Sequence, residues 1–318
     1  MNGKKFNEIG DDYQEKISEC KIRMITFLKE FNPDLKFEIF NRLNSGSVAL
    51  NAQELRNCVY RGSYNDLLRD LSHDKGFVNL MEFNKERKPD KRMRDVEHVL
   101  RFSAFYFGNY LKYYPPMKKF MNNEMRERRD ISDTDAAKLT SAFMQAVSLS
   151  ASMFGKNAFL RFIPGNEKDK KGTFSKKFNA SLYDVLMWSL AHYDKNMIMS
   201  KLDSIREAFI DLMISDKEFI DSIEKGTSGK SQIEIRFDKW RMTLKEILEN
   251  NQPRCFSRQF KGKLYEQDPT CQLCGNRISS VDDAAVDHIE QYWLGGKTIP
   301  ENARLTHRYC NAARPRKE

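Results

Sequence analysis

No stretch of the 318-residue sequence approaches the roughly 20 consecutive apolar residues that a membrane-spanning helix needs, and no charged-then-apolar leader opens it. A globular, soluble, cytoplasmic protein with no membrane partner is expected. Cysteine is sparse, with six residues at scattered positions, which argues against the disulfide framework of small secreted proteins. Only Cys271 and Cys274 stand close together, leaving metal binding as the use worth testing. Internal repeats and low-complexity tracts are also lacking. What is present is 40% apolar residues, enough to fill the cores of one large or two to three modest domains. The formal charge of +9 permits a polyanionic partner without demanding one.

From Asp34 to about Leu71 the sequence reads as short helices divided by a turn, the first ending at Ser45-Gly46 and the next capped by Asn51. Between about Asp95 and Lys225 apolar residues recur at helical spacing, as in Leu139, Phe143 and Val147, or Leu182, Val185, Leu186 and Leu190. Pro115-Pro116, Asp133 and Gly155 punctuate this stretch, which predicts a bundle of roughly six helices with Met and Phe stripes as core. Gly226-Thr-Ser-Gly-Lys-Ser231 is the best linker candidate and marks a predicted domain boundary. Beyond it, Ile233, Phe237, Trp240, Leu244 and Ile247 form one stripe of a helix expected to dock the next domain onto the bundle. From Pro253 onward close-set Cys, Gly, Asp and Pro predict a small, loop-rich fold that needs a staple.

Cys271-x-x-Cys274-Gly275 has the knuckle spacing by which two thiolates reach one tetrahedral ion, with Gly275 easing the turn. A second pair follows at His307-x-x-Cys310, whose three-residue step puts both side chains on one face of a helix predicted over Glu301 to Ala313. Together they make a Cys₃His set suited to structural Zn²⁺. Between the pairs lie Val286-Asp287-His288-Ile289, Gly295-Gly296-Lys297-Thr298 and Asn302, with Asn311 directly after the last zinc candidate. The pattern predicts a strand at 285–289, a glycine loop and then the helix.

Phosphodiester hydrolysis needs an activated water, a cation on the phosphate and the leaving oxygen, and a brace for the base. An unperturbed imidazole titrates near pH ~6.5, so a neutral His288 can accept a proton from water. Asp287 and Asn311 offer hard oxygen ligands of the kind Mg²⁺ prefers, and Asn302 can orient the base through its amide. Taken alone, a His beside an Asp is more often a structural pair.

At these residues the segment from about Arg254 to Arg316 resembles the HNH, or ββα-metal, endonuclease family. The resemblance implies that Asp287 and Asn311 are ligands of a catalytic Mg²⁺ or Mn²⁺, His288 the general base, Asn302 the brace of the base loop, and Cys271, Cys274, His307 and Cys310 the structural zinc set. Asn311 stands where the family often has His, and His307 where it often has Cys; both keep the ligand function. Lys297, Arg304, Arg308, Arg314 and Arg316 are candidate phosphate clamps, or else a solvated basic face. No base-reading element is evident, so little intrinsic sequence preference is expected.

Phe40-Asn-Arg-Leu-Asn-Ser-Gly46, Leu50-Asn-Ala-Gln-Glu-Leu-Arg-Asn57 and Tyr60-Arg-Gly62 read as well-capped helix-turn-helix packing. They also resemble the later part of the ParB-like domain of GmrSD-type modification-dependent restriction enzymes. That resemblance would turn Asn41, Arg42, Asn44, Gln53, Glu54 and Arg56 toward a nucleotide or DNA pocket. The family's upstream Asp-Gly-Gln-Gln-Arg type motif does not occur before Phe40. The chain is therefore read as the back half of a split or truncated gene, with strand edges on residues 1–30 open to a separately encoded front half.

The expected fold is α+β and mainly α: a truncated ParB-like segment over 1–74, a helical bundle over 75–228 and a zinc-stapled HNH domain over 229–318. The expected function is metal-dependent cleavage of DNA in a restriction or anti-phage system. A zinc-containing DNA-binding or adaptor subunit, silent without its partner, and a decayed gene product are the alternatives.

Overall fold

The computed structural model describes residues 5–21, 49–81, 92–249 and 255–314, with the isolated positions 3, 24, 38, 39, 42 and 90. Helix α1 (Asp11–Ser18) follows a 3₁₀ turn at Phe6–Glu8, and no strand occurs among the described residues of 1–30. The strand edge expected there is replaced by helix, which Gly10 starts and Asp11 and Asp12 favour in the first turn. Phe40–Gly46, apart from Arg42, lies outside the described residues, and with it Asn41 and Asn44.

Helices α2 (Ala52–Val59), α3 (Ser63–Ser72) and α4 (Lys75–Met81) lead into the bundle. Asn51 caps α2 as expected, accepting from the backbone N–H groups of Gln53 and Glu54, while the Glu54 side chain returns to the Asn51 N–H. Next come α5 (Arg94–Gly108), α6 (Met117–Glu127) and α7 (Asp133–Phe154), the last opened by Ser132 and closed at Gly155. After a hairpin, β1 (Leu160–Ile163) with β2 (Thr173–Phe178), helices α8 (Ala180–His192), α9 (Lys195–Ser200), α10 (Leu202–Ser215), α11 (Lys217–Glu224) and α12 (Lys230–Glu249) complete the bundle. The hairpin was not legible as strand, and the helices outnumber the six expected. No helix among the described residues is long and apolar enough to cross a membrane.

Every apolar position singled out by spacing in α7 and α8 is buried: Leu139, Phe143, Leu182, Val185, Leu186 and Leu190 at 0% exposure and Val147 at 3%. Burying each contributes roughly 1.5–3 kcal/mol, so one such stripe outweighs a helix cap at about 1 kcal/mol. Helix α12 lies in this same core through Ile233, Phe237, Trp240, Leu244 and Leu248, and the Trp240 indole N–H donates to Ser189 Oγ at 2.9 Å. Gly226, at φ +55°, makes a reversal inside the bundle, with Gly229 N donating to its carbonyl at 2.8 Å. The division between cores therefore falls after Leu248 and not at the 226–231 linker. Helices α2 and α3 also feed the bundle core, through Leu55, Tyr64, Leu68 and Leu71.

Buried Gln53 and Arg56 face into this packing: Arg56 donates from Nε to Asn122 Oδ1 at 2.8 Å and pairs with Glu97 at 3.2 Å. Arg56, which also donates to Gln53 Oε1 at 3.0 Å, ties helices together where the ParB-like resemblance turned both toward a pocket.

The second core is small. Cys271, Ile278, Ala284 and Leu305 are buried in it, flanked by Leu264 and Tyr265 of α13 (Arg258–Gln267) and by Val286. So few apolar side chains hold a fold of this size only with a further restraint.

Candidate active site and metal centre

The C-terminal segment is built on an antiparallel ribbon, β3 (Ala284–His288) with β4 (Ala303–His307), followed by the short helix α14 (Arg308–Ala312). The predicted helix over 301–313 is thus corrected. Its first part is a 3₁₀ turn at Pro300–Asn302 and a strand, and His307 stands just before α14 at its N-cap. Ala, Arg and Leu at 303–305 suit a helix locally, but pairing with β3 gives this segment its backbone partners and overrides that preference.

Cys271, Cys274, His307 and Cys310 come together with their ligand atoms all within 4.8 Å of one another. His307 Nδ1 faces the sulfurs, 3.5 Å from Cys274 and 3.8 Å from Cys310, while Nε2 lies 3.3 Å from the Arg277 carbonyl, which can fix the tautomer. Gly275, at φ +72°, closes the knuckle as its N–H donates to the Cys271 carbonyl at 2.8 Å. Burial and the neighbouring Cys274 and Cys271 sulfurs push the Cys310 thiol up to about 12. Three thiols this close ionise together only around a cation, and three sulfurs with one imidazole match tetrahedral Zn²⁺. The donor set therefore fits zinc.

Ala284 pairs with His307 and His288 with Ala303, so the knuckle and the Asp287-His288 pair stand at opposite ends of the ribbon, about 14 Å apart at ~3.4 Å per strand residue. His288 is 8% exposed, packed against the rings of Phe256 at 4.8 Å and Tyr292 at 5.6 Å, with Nε2 at 2.9 Å from Thr298 Oγ1. Asn302 accepts from Glu290 N at 2.8 Å and donates to the carbonyls of Glu290 and Lys297 at 3.1 and 2.9 Å. Its amide thus ties down the loop that follows His288. Gly296 is required by this closure, because a Cβ there would stand 1.9 Å from the Glu290 carbonyl oxygen.

Asp287 sits opposite Arg304 in the ribbon, and its Oδ2 accepts from Arg304 Nε at 2.8 Å. Arg314 reaches the same carboxylate from beyond α14, at 3.0 and 2.9 Å. Asn311 is half-buried on α14, and its carbonyl accepts from Arg314 N at 3.3 Å. Two guanidiniums already pair with the Asp287 carboxylate, so a divalent cation that takes it as a hard oxygen ligand must displace them.

Of the candidate phosphate clamps, Lys297 is exposed and Arg304 and Arg314 are half-buried at Asp287, while Arg316 lies outside the described residues. Arg308 is placed elsewhere. Its side chain is 1% exposed and pairs with Glu207 at 2.9 Å, so it faces the bundle and leaves no fork for a phosphate. Thr298, Phe256, Tyr292 and Glu207 all touch this machinery unassigned by sequence. Thr298 had a signal in its place beside the glycine pair; the others had none.

The segment is a ββα unit with a Cys₃His cluster at one end of its ribbon and a His–Asp pair at the other. The HNH endonuclease family model matches residues 271–317, and this segment is an HNH endonuclease domain with a Cys₃His metal site. No curated protein and no solved structure matches the chain.

Proposed function

We propose that this chain is a metal-dependent HNH endonuclease that hydrolyses phosphodiester bonds of DNA. The observation that carries it is His288 at the end of β3, held between Phe256, Tyr292 and Thr298 within the matched segment. His288 takes the proton of the attacking water, and Asn302 holds the loop that keeps the imidazole in place. Asp287 and Asn311 would hold Mg²⁺ or Mn²⁺, which when bound offsets charge on the scissile phosphate and leaving oxygen. Lys297, Arg304, Arg314 and Arg316 grip the flanking backbone, and Zn²⁺ on Cys271, Cys274, His307 and Cys310 holds the module together.

The setting we infer is a cytoplasmic restriction or anti-phage defence system, with residues 1–74 the later part of a ParB-like domain completed by a separately encoded half. Its support is the sequence resemblance over Phe40–Gly62. A second reading, a zinc-containing adaptor silent without its partner, is favoured by one observation: the Asp287 carboxylate is already held by Arg304 and Arg314.

Cleavage of supercoiled plasmid by the full chain separates them. Nicking that needs Mg²⁺ or Mn²⁺, stops with EDTA and falls about 10²- to 10⁴-fold in His288→Ala with zinc retained supports the nuclease. DNA binding without nicking by the zinc-loaded wild type supports the adaptor.

A further inference from the structure

Helix α10 belongs to the bundle, with Ile205, Phe209 and Ile210 in its core, yet its other face is polar and turned to the nuclease segment. Asp203 Oδ2 accepts from Arg258 N at 2.6 Å, Arg206 Nη2 pairs with Asp282 Oδ1 at 2.7 Å, and Glu207 gathers three cations. Its Oε2 lies 2.9 Å from Arg308 Nη1, and its Oε1 lies 3.0 Å from Lys261 Nζ and 2.6 Å from Arg206 Nη1. Residues 203, 206 and 207 share one helix face, so a backbone hydrogen bond and two ion-paired side chains along it make a docking surface. The hairpin adds a second touch: a Cβ on Gly172 would stand 2.5 Å from Asp283 Oδ1 and 2.6 Å from the Phe162 ring, so the hairpin and the nuclease segment meet there without room for a side chain.

Arg308 is the link that matters chemically. It lies in sequence between the zinc candidates His307 and Cys310 and opens α14, which also carries Asn311. Its Nε donates to the Asp282 carbonyl at 2.6 Å, its backbone N–H donates to the Asp283 carbonyl at 2.9 Å, and its guanidinium ends on Glu207. The side chains of Arg308, Lys261 and Arg206 are 1%, 4% and 4% exposed. Glu207 is thus the carboxylate that three nearly enclosed cations share. Burial opposes its ionisation, but Arg308, Lys261 and Arg206 hold it well below the usual carboxylate range. Burial, opposed by Glu207, lowers Lys261 to about 8. Removing the carboxylate would leave three cations without their shared counter-charge, the costly way to break a buried ion pair.

We propose that Glu207, outside the matched HNH segment, is a positioning residue of the nuclease: through Arg308 it sets α14 and with it the ligands His307 and Cys310. The bundle is then part of the nuclease and not merely joined to it. This rests on the zinc reading of the Cys₃His set.

The test is the rate at which the full chain loses zinc to excess EDTA, read beside the visible absorption of the Co²⁺-substituted protein and plasmid nicking. Glu207→Gln is expected to release zinc at least tenfold faster and to alter the cobalt spectrum. Arg308→Lys keeps the charge count and so spares the fold; it is expected to release zinc several-fold faster, because an ammonium cannot span both Glu207 and the Asp282 carbonyl. The double variant Glu207→Gln with Arg308→Lys should be no faster than the worse single variant, since both act through one contact. Asp216→Ala, which removes the α11 cap and the Lys239 pair without touching the nuclease segment, should lower the unfolding midpoint but leave zinc release unchanged. Wild-type release rates in both Glu207→Gln and Arg308→Lys, additive effects in the double variant, or equal acceleration by Asp216→Ala would each overturn the proposal. A wild type that binds no zinc fails at an earlier step, overturning the zinc reading before any variant is compared.

Discussion

Arg314 donates from Nη1 to both oxygens of Asp287 and from Nη2 to the Ile289 carbonyl at 2.9 Å, so one guanidinium spans the carboxylate and the backbone beyond His288. A divalent cation that uses Asp287 competes with this guanidinium. The pair is 20% and 9% exposed at its two side chains, so it is worth about 1–1.5 kcal/mol, close to a tenfold change in affinity. Arg314→Gln should bind Mn²⁺ about tenfold more tightly by calorimetry while gripping plasmid more weakly. Mn²⁺ affinity that is unchanged or falls would show that Arg314 supports the ligand geometry instead of blocking it.

Gly296 tests the loop closure independently of any metal. Gly296→Ala forces a Cβ against the Glu290 carbonyl and to 3.1 Å from Asn302 Nδ2, so the loop after His288 must shift. Nicking should fall by roughly 10²-fold, the scale of a misplacement near 1 Å, with zinc content unchanged. Gly262→Ala is the control: it lies in α13 with nothing within 4 Å of the added Cβ and should stabilise by about 0.4–1 kcal/mol. Equal nicking by the two variants would remove the loop from the catalytic argument.

How far the sequence reveals this arrangement depends on how local each feature is. The Asn51 cap, the Leu139-Phe143-Val147 stripe and the two zinc pairs are all set by residues within a turn or two of each other, and the structure has each of them. Strand β4 was hidden because Ala303, Arg304 and Leu305 carry no β-branched side chain, and only β3 makes them a strand. The burial of Arg308 was hidden for a sharper reason. An arginine beside a zinc ligand looks the same whether it meets a phosphate or a glutamate from a distant helix, and Glu207 leaves no periodic trace that would connect the two.

Zinc removal should act on one core and spare the other. The bundle core holds dozens of buried side chains, whereas the second core has four buried apolar residues, one of them the ligand Cys271. Hydrogen exchange after zinc removal is expected to show loss of protection in β3, β4 and α14 while α7 and α8 keep theirs. Loss of protection in α8 would mean that the bundle itself depends on the staple, and retention in β3 would mean that the small core stands without it.

His98 gives the bundle a defined weakness to acid. It is half-buried, edge-on to Phe178 at 4.6 Å and Tyr183 at 5.3 Å, and burial, reinforced by Arg101 and Arg94, lowers it to about 3. The unfolded imidazole takes up its proton near pH 6.5 and the folded one only near 3, so unfolding binds a proton throughout that window and stability falls as pH drops through it. By pH 4.5 the loss from this group is about 2–3 kcal/mol. Glu124 works the other way: burial raises it to about 7, so the folded carboxyl keeps its proton between 4.5 and 7 and stability rises as pH falls through that range. The two oppose each other above pH 4.5, and below it the His98 loss continues alone. His98→Phe removes only the imidazole. Urea unfolding of wild type and variant at pH 7 and 4.5 should therefore show the variant gaining about 2–3 kcal/mol on the wild type at the lower pH. A difference that stays constant between the two pH values would mean that His98 takes up its proton within the folded bundle.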